Sequence, residues 1–492
     1  MAFQFHRRWA GVLAVLAALA LASCATQPGH NTGARGKSAI KRPTVDMPRP
    51  TALERYVATP DPNYRYEVVN TIPGQGYTGY ICDMVSQQWR TAAEVDRPIW
   101  QHWVEIIVPD SLHYTTGMMF ISGGSNDGEV PDKVDARMAQ IAQMTRSVVA
   151  TVYMIPNQPL VFADDGKPLK EDGLIAYTWD KYLRTGDENW PARLPMTKAV
   201  VRAMDTVQDL VARPDIPGET VDHFVVAGGS KRGWTTWTTG IVDDRVVAIS
   251  PIVIDMLNMV PSFQHHYEVY GDWAEAIDDY VDRGIMDWMG TAEYESLMKI
   301  VEPYSYLDDL TMPKFIINAT GDQFFLPDSS QYYWDDLKGP KYLRYVPNSG
   351  HGLDDTDAAE SLLSFYASIL SGAPLPQMQW SFPQEGVIQV TASPAPLAVK
   401  LWSATNPGAR DFRIDVIGPV WAPQDLVAMA DGSWLASVPS PVQGYTAYMV
   451  ECTFAGPGDV PLKLTTPVRV LPDVTEHEYL APQTRMSGFM TR

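Results

Sequence analysis

The chain's 492 residues exceed one ordinary domain, and a hydrophobic share of 45% with 15 Trp and 23 Tyr can fill a large core. A globular, multi-domain protein is expected. A formal charge of -20 and the absence of any basic stripe with interleaved aromatics exclude nucleic acid as an expected partner.

Residues 1–23 read as a targeting leader: His6-Arg7-Arg8 supply positive charge, and the apolar run from Trp9 to Ala22 is too short to span a bilayer. Leu21-Ala22-Ser23-Cys24 resembles a bacterial lipobox, so cleavage before Cys24 and its lipidation are expected, with two or three acyl chains giving a durable anchor. Residues 24–50 mix Gly, Pro, Thr, Lys and Arg, as suits a flexible tether. Within it, Asn31 to Ser38 imitates a phosphate loop, but Asn31 stands at the first glycine position and no strand precedes it, so no nucleotide site is expected.

From residue 51 to 375 strand-like and helix-like pieces alternate, which predicts a doubly wound, mostly parallel α/β sheet. The strands expected are Val104–Val108, Gly117–Ser122, Ser147–Met154, His223–Ala227, Val246–Ile254, Lys314–Thr320 and Tyr342–Val346. Met196–Val211 is the clearest helix, with Val200, Val201, Met204, Val207, Leu210 and Val211 on one face. Residues 158–195, punctuated by Pro and Gly, read as an excursion from the sheet. Residues 258–310, helical in pattern and rich in Trp, Tyr and acids, read as a cap over the active edge or as a peripheral packing layer. The adjacent His265-His266 read as a partly exposed structural pair, and no metal or other cofactor is expected.

The chemistry concentrates on Val225-Val226-Ala227-Gly228-Gly229-Ser230-Lys231-Arg232-Gly233-Trp234, where a glycine-flanked serine stands between an apolar run and a helix start. That arrangement suits a nucleophile on a sharp strand-to-helix turn, for which larger flanking side chains would be too crowded. A base and an acid should follow. Asp322 stands just past the strand ending at Thr320, and His351 lies in the glycine-flanked loop after Tyr342–Val346, in the order Ser, Asp, His that such a triad requires.

Gly123-Gly124-Ser125-Asn126-Asp127-Gly128 repeats the spacing, but Asp127, Gly128 and Pro131 turn the chain before a helix can start. Its backbone N–H groups, at Gly124 or Ser125, are expected instead to join that of Lys231 in an oxyanion hole. Asp328, followed by Ser329-Ser330, reads as the N-cap of the next helix. Lys231 and Arg232 oppose the dipole of the helix they open, so they should pair with acids such as Asp255 or Asp243-Asp244, or with a substrate carboxylate.

Past residue 375 short β-like runs alternate with Pro, Gly, Asn and Asp: Gly386–Ala392, Leu397–Ser403, Phe412–Ile417, Tyr445–Phe454 and Val468–Leu471. A β-sandwich over residues 376–475 is expected, with Tyr445 and Tyr448 in its core, followed by a tail from 476 to 492 that is loose from Gln483. Cys82 and Cys452 are compatible with a bridge or with two separate buried thiols.

The segments Gly228–Trp234, Ile317–Ser330, Leu343–Asn348 and Arg410-Asp411-Phe412-Arg413 resemble those of the PhoPQ-activated pathogenicity-related proteins, and the likeness runs from about residue 50 to 475. The resemblance implies an exported α/β-hydrolase-like protein, linked in some bacteria to virulence and resistance to host peptides, whose substrate is not established. Arg232 stands where the commoner nucleophile motif has its second glycine.

The expectation is therefore an exported serine hydrolase that cleaves an ester or amide with Ser230, His351 and Asp322, held to a bacterial envelope membrane through Cys24 and facing the periplasm or the surface. A peptidase acting on peptides is the nearest alternative. A surface lipoprotein that binds peptide or glycan with a vestigial triad is the alternative from a different class.

Overall fold

The computed structural model describes residues 47–216, 220–482 and 486–490; the leader, Cys24, most of the tether and the Asn31–Ser38 segment lie outside them. Its centre is a nine-stranded sheet. In chain order the strands are β1 (Arg65–Gly74), β2 (Tyr77–Gln88), β3 (Ile99–Pro109), β4 (Thr116–Ile121), β5 (Val149–Val152), then after a small hairpin of β6 (Leu160–Val161) and β7 (Pro168–Leu169), β8 (His223–Gly229), β9 (Val246–Ile252), β10 (Lys314–Ala319) and β11 (Lys341–Val346).

The spatial order is β1-β2-β3-β5-β4-β8-β9-β10-β11, antiparallel through β5 and parallel from β5 onward. The parallel strands are covered on both faces, so they read as near-continuous apolar runs, as in the fully buried Phe224 to Ala227. All the strands expected between residues 51 and 375 are present. The β1–β2 hairpin was not legible in it: β1 carries Pro73, alternates only between exposed and half-buried positions, and sits at the sheet edge.

The helices are α1 (Ala52–Ala58), α2 (Ala136–Thr145), α3 (Glu171–Thr185), α4 (Arg193–Val211), α5 (Lys231–Val242), α6 (Met259–Tyr270), α7 (Asp278–Asp282), α8 (Ala292–Val301) and α9 (Ala358–Ser371). Local chemistry sets their ends. Asp135 caps α2 by accepting from the N–H groups of Arg137 and Met138, while Gly186 ends α3 in the left-handed conformation. The predicted face of α4 is buried throughout, but so are Arg193, Thr197 and Lys198, because α4 packs on both α1 and α5. Residues 158–195, expected as an excursion, contain the helix α3, most of whose residues after its first turn are buried.

Beyond residue 375 come β12 (Gln377–Ser381), β13 (Val387–Ser393), β14 (Ala398–Asn406), the short helix α10 (Ile414–Ile417), β15 (Ala422–Asp425), β16 (Trp434–Ser437), β17 (Tyr445–Phe454), β18 (Leu462–Thr465) and β19 (Arg469–Leu471). They form two antiparallel sheets, β12-β13-β16 and β15-β14-β17-β18 with β19 beside β17. Val390, Leu401, Trp434, Ala436 and Val450 share one apolar core between them, and Tyr445 and Tyr448 are buried. This is the expected sandwich, with one correction: Phe412–Ile417 is a loop and a helical turn, not a strand.

Two other expectations change. Residues 486–490 dock on the helical layer: the Phe489 ring lies 5.4 Å from that of Tyr182, and Met490 donates its backbone N–H to Glu293 at 3.1 Å. His265 and His266 are buried rather than partly exposed. Cys82 and Cys452 are two separate free thiols, each pushed up to about 12 by burial. No described helix is long and apolar enough to cross a membrane, and the described residues contain no cluster able to hold a metal ion.

Candidate active site

Strands β8, β10 and β11 run parallel, so the loops that follow them emerge at one edge of the sheet, where ligand sites of such sheets form. Ser230 sits at the junction of β8 and α5 with φ 57° and ψ -124°, a strained conformation for a residue with a side chain. Its N–H donates to the Ile252 carbonyl of β9 at 2.8 Å, which fixes the turn. The turn requires its glycines. A Cβ on Gly228 would lie 2.8 Å from the Arg232 carbonyl, and one on Gly233 would lie 2.9 Å from that of Ile252.

Asp322 and His351 are paired. His351 Nδ1 donates to both carboxylate oxygens of Asp322, at 2.9 and 3.0 Å, while Asp322 also accepts from the Phe324 N–H at 2.8 Å. The His351 N–H donates to the Gln323 side chain at 3.0 Å, so the loop that carries Asp322 and the loop that carries His351 hold one another. With Nδ1 donating, Nε2 of a neutral ring is left as an acceptor. That atom is buried and has no partner among the described residues, Ser230 included. Catalytic hydrogen bonds that are open without substrate commonly close when it binds. The Phe324 ring lies 4.4 Å from His351 and within 5.9 Å of Lys231 Nζ, bridging the base and the residue after the serine.

Ser230 opens onto a pocket lined by Lys231, Trp234, Ile254 and Met256 from the sheet edge, Phe324 and Phe325 from the acid loop, Met259, Phe263, Ile277 and Tyr280 from the 258–310 insertion, and Asp172, Trp179 and Arg193 from the other excursion. Both insertions therefore contribute side chains to the pocket that Ser230 lines.

The cations after Ser230 find acids other than those expected. Lys231 Nζ lies 2.6 Å from Asp172 and 3.4 Å from Glu171, and Arg232 makes a two-pronged bond to Glu171 at 2.7 and 2.8 Å. Burial alone would push the Glu171 carboxyl up, but the Arg232 bonds and the two positive charges outweigh it and hold the group at about 2. Asp243 instead pairs with Arg245, and Asp255 accepts from the hydroxyls of Tyr333 and Tyr345 at 2.5 and 2.6 Å. Burial pushes the Asp255 carboxyl up to about 8.

The loop after β4 lies against the elbow. A Cβ on Gly123 would come within 2.6 Å of Arg232 Nη2, and Gln158 donates to the Gly124 carbonyl at 3.1 Å. Among the described residues the N–H groups of Gly124 and Ser125 donate to no protein acceptor. The Ser125 hydroxyl accepts from the Asp127 N–H at 3.3 Å, in a turn and not at a helix start.

Asp328 is not a helix cap. It precedes only a single 3-10 turn, and its carboxylate instead accepts from Arg410 at 2.8 Å and contacts His265 at 3.1 Å, all three side chains being buried. Burial would raise the Asp328 pKa, but the charges of Arg410 and His265 prevail and hold it well below the usual carboxylate range. This knot joins the cap, the acid loop and the C-terminal domain. Sequence reasoning did not anticipate that domain's part in the site. Ile414 donates its N–H to the Gly321 carbonyl at 3.0 Å, and Asn348 and Trp421 exchange two hydrogen bonds of 2.8 Å.

A mixed, mostly parallel sheet of this order, a serine on a strained turn after β8, and a His–Asp pair after β10 and β11 define an α/β-hydrolase fold with a β-sandwich appended. Residues 53–413 match the family described as PhoPQ-activated pathogenicity-related protein, and the chain belongs to that family. It is 37% identical over 456 residues to autocrine proliferation repressor protein A of Dictyostelium discoideum, covering 86% of this chain and 91% of that protein. Among solved structures it is similar to an acetyl xylan esterase from Paenibacillus sp. R4, with TM-score 0.44, 11% identity, and 65% of this chain and 92% of that one covered. It is also similar to a glucuronoyl esterase from Solibacter usitatus, with TM-score 0.38, 14% identity, and 64% and 90% covered. Similarities of that size carry no information about substrate.

Proposed function

We propose that this protein is a serine hydrolase cleaving an ester or amide outside the cytoplasm. Ser230 attacks the carbonyl carbon, His351 Nε2 takes the hydroxyl proton and returns it to the leaving group, and Asp322 holds the imidazole through Nδ1. The N–H of Lys231, at the open first turn of α5, and that of Gly124 or Ser125 stabilise the oxyanion. The observation that carries this reading is the Asp322–His351 pair at 2.9 Å on the same sheet edge as a serine held at φ 57°.

Its test is covalent labelling with a fluorophosphonate. Wild type and Ser125→Ala should label, and Ser230→Ala should not; labelling that survives in Ser230→Ala overturns the assignment. Peptidase activity remains within this reading, and turnover of acyl esters against aminoacyl amides separates the two. A second reading is favoured by the Dictyostelium relative, whose name describes a proliferation repressor: the chain would then act by binding, with a vestigial triad. No labelling of a folded protein is the outcome that reading requires.

The lipobox-like sequence at Cys24 supports an envelope location with a lipid anchor.

A further inference from the structure

Three buried cations crowd the serine, and they are not equivalent. Lys231 and Arg232 are satisfied by Asp172 and Glu171. Arg193, the first residue of α4, is 3% exposed and lines the same pocket as Ser230. Its Nη1 donates to the Lys231 carbonyl at 3.0 Å, which puts the guanidinium one residue from Ser230, and its Cζ lies 4.7 Å from the centre of the Trp234 ring. Among the described residues no carboxylate lies within ion-pair distance of it, and its Nε–H is buried without an acceptor. The Tyr280 hydroxyl is its other polar neighbour; that hydroxyl gives its proton to Asp172 at 3.0 Å, so the one carboxylate whose charge reaches Arg193 does so across Tyr280 and is itself bonded to Lys231.

A guanidinium offers five N–H donors in a rigid fork matched to a carboxylate, and a buried cation with no carboxylate in direct contact is costly to keep. An arrangement that bears this cost beside a nucleophile is explained when the counter-ion arrives with the substrate. We infer that Arg193 is a specificity-determining residue that receives a carboxylate on the substrate's acyl group, Trp179, Met256 and Phe263 holding the apolar stem between that carboxylate and the scissile carbonyl. This rests on Ser230 being the nucleophile. A purely structural role, clamping Trp234 and the start of α5, is the competing account.

The test compares the 4-nitrophenyl monoester of glutaric acid, which is anionic, with the neutral pentanoate ester on wild type, Arg193→Met and Arg193→Lys. Wild type should favour the anionic ester by about tenfold or more in kcat/KM, the preference lying in KM, and Arg193→Met should bring the ratio close to one. A wild type without anion preference, or a ratio unchanged in Arg193→Met, overturns the inference. If Arg193→Met does not fold, Arg193→Lys carries the comparison, since it keeps the charge but loses the fork and should lower the ratio. Fluorophosphonate labelling run in parallel keeps the two claims apart. Labelled enzyme without anion preference removes the Arg193 role and leaves the hydrolase. Unlabelled enzyme removes the hydrolase, and the Arg193 site is then read by glutarate itself, which should raise the melting temperature of wild type but not of Arg193→Met; equal shifts, or none, overturn it.

Discussion

Ile414, from the C-terminal domain, donates its backbone N–H to the carbonyl of Gly321 at 3.0 Å, one residue before Asp322. A Cβ on Gly321 would lie 2.9 Å from Ile414 Cβ and 3.0 Å from the Ser349 carbonyl, and one on Gly350 would lie 2.8 Å from Ile414 Cγ2. The loops bearing the acid and the base are thus both glycine-thin where this one residue rests on them. The sandwich domain is part of the scaffold that aims the Asp322–His351 pair.

Gly321→Ala should therefore act on the site through position. The added methyl must push Ile414 or the acid loop aside, an overpacking cost of about 1–3 kcal/mol. A displacement of that kind at a catalytic pair lowers turnover by about 10²-fold. Melting curves and kcat on any acyl ester turned over by wild type check this. Full activity in a folded Gly321→Ala protein would show that the contact does not position the acid.

Asp322→Asn and Asp328→Asn should fail in opposite ways. Asp322→Asn keeps the fold but loses the group that orients His351, so turnover should fall by about 10⁴-fold with a near-normal melting temperature. Asp328→Asn leaves the buried Arg410 with only the exposed Asp473, 3.8 Å away, as counter-charge, a loss of up to about 3–5 kcal/mol that thermal or urea unfolding would show. The folded pKa of Asp328 is depressed, so its contribution is present above the unfolded value of about 3.9 and is lost as pH falls toward the folded one. The stability gap between wild type and Asp328→Asn should narrow as pH drops below about 4.

Asp255 gives the opposite pH signature. Its folded pKa is raised to about 8, so the stability tied to its proton is complete below the unfolded value and disappears as pH rises through the folded one. Asp255→Asn, whose amide like the protonated acid offers one acceptor oxygen and one donor to the Tyr333 and Tyr345 hydroxyls, should match wild type near pH 4 and become the more stable protein as pH approaches 8. Unfolding curves across that range decide it, and a constant difference between the two proteins would contradict the assignment of the shift to burial.

Much of the site was legible because each of its three groups follows a strand. The apolar runs before Ser230, Asp322 and His351 mark β8, β10 and β11, and parallel strands bring their ends to one edge. What the sequence could not show are contacts made across long separations. Nothing local links Lys231 and Arg232 to Glu171 and Asp172, since the acids lie in a stretch punctuated by Pro and Gly that reads as an excursion from the sheet. Asp328 followed by two serines looks like a cap until Arg410, from another domain, claims it. Arg410 and Asp411 were visible only as part of a family likeness, and Phe412 and Arg413 read as the start of a strand, with nothing local to say that the segment supports the site.

Cys24→Ala tests the proposed location. The lipid anchor predicts that the full-length wild-type protein partitions with the membrane fraction, and that Cys24→Ala either is released or keeps an uncleaved leader. An acylated, membrane-bound Cys24→Ala protein would refute it.

The most direct measurement is peptide mapping by mass spectrometry of the folded protein after reaction with a fluorophosphonate. A phosphonyl adduct is expected on the peptide containing Gly228–Trp234, at Ser230, and is expected to be lost in His351→Ala, whose serine has no base. An adduct at Ser125, or no adduct on a protein shown to be folded, would contradict the account.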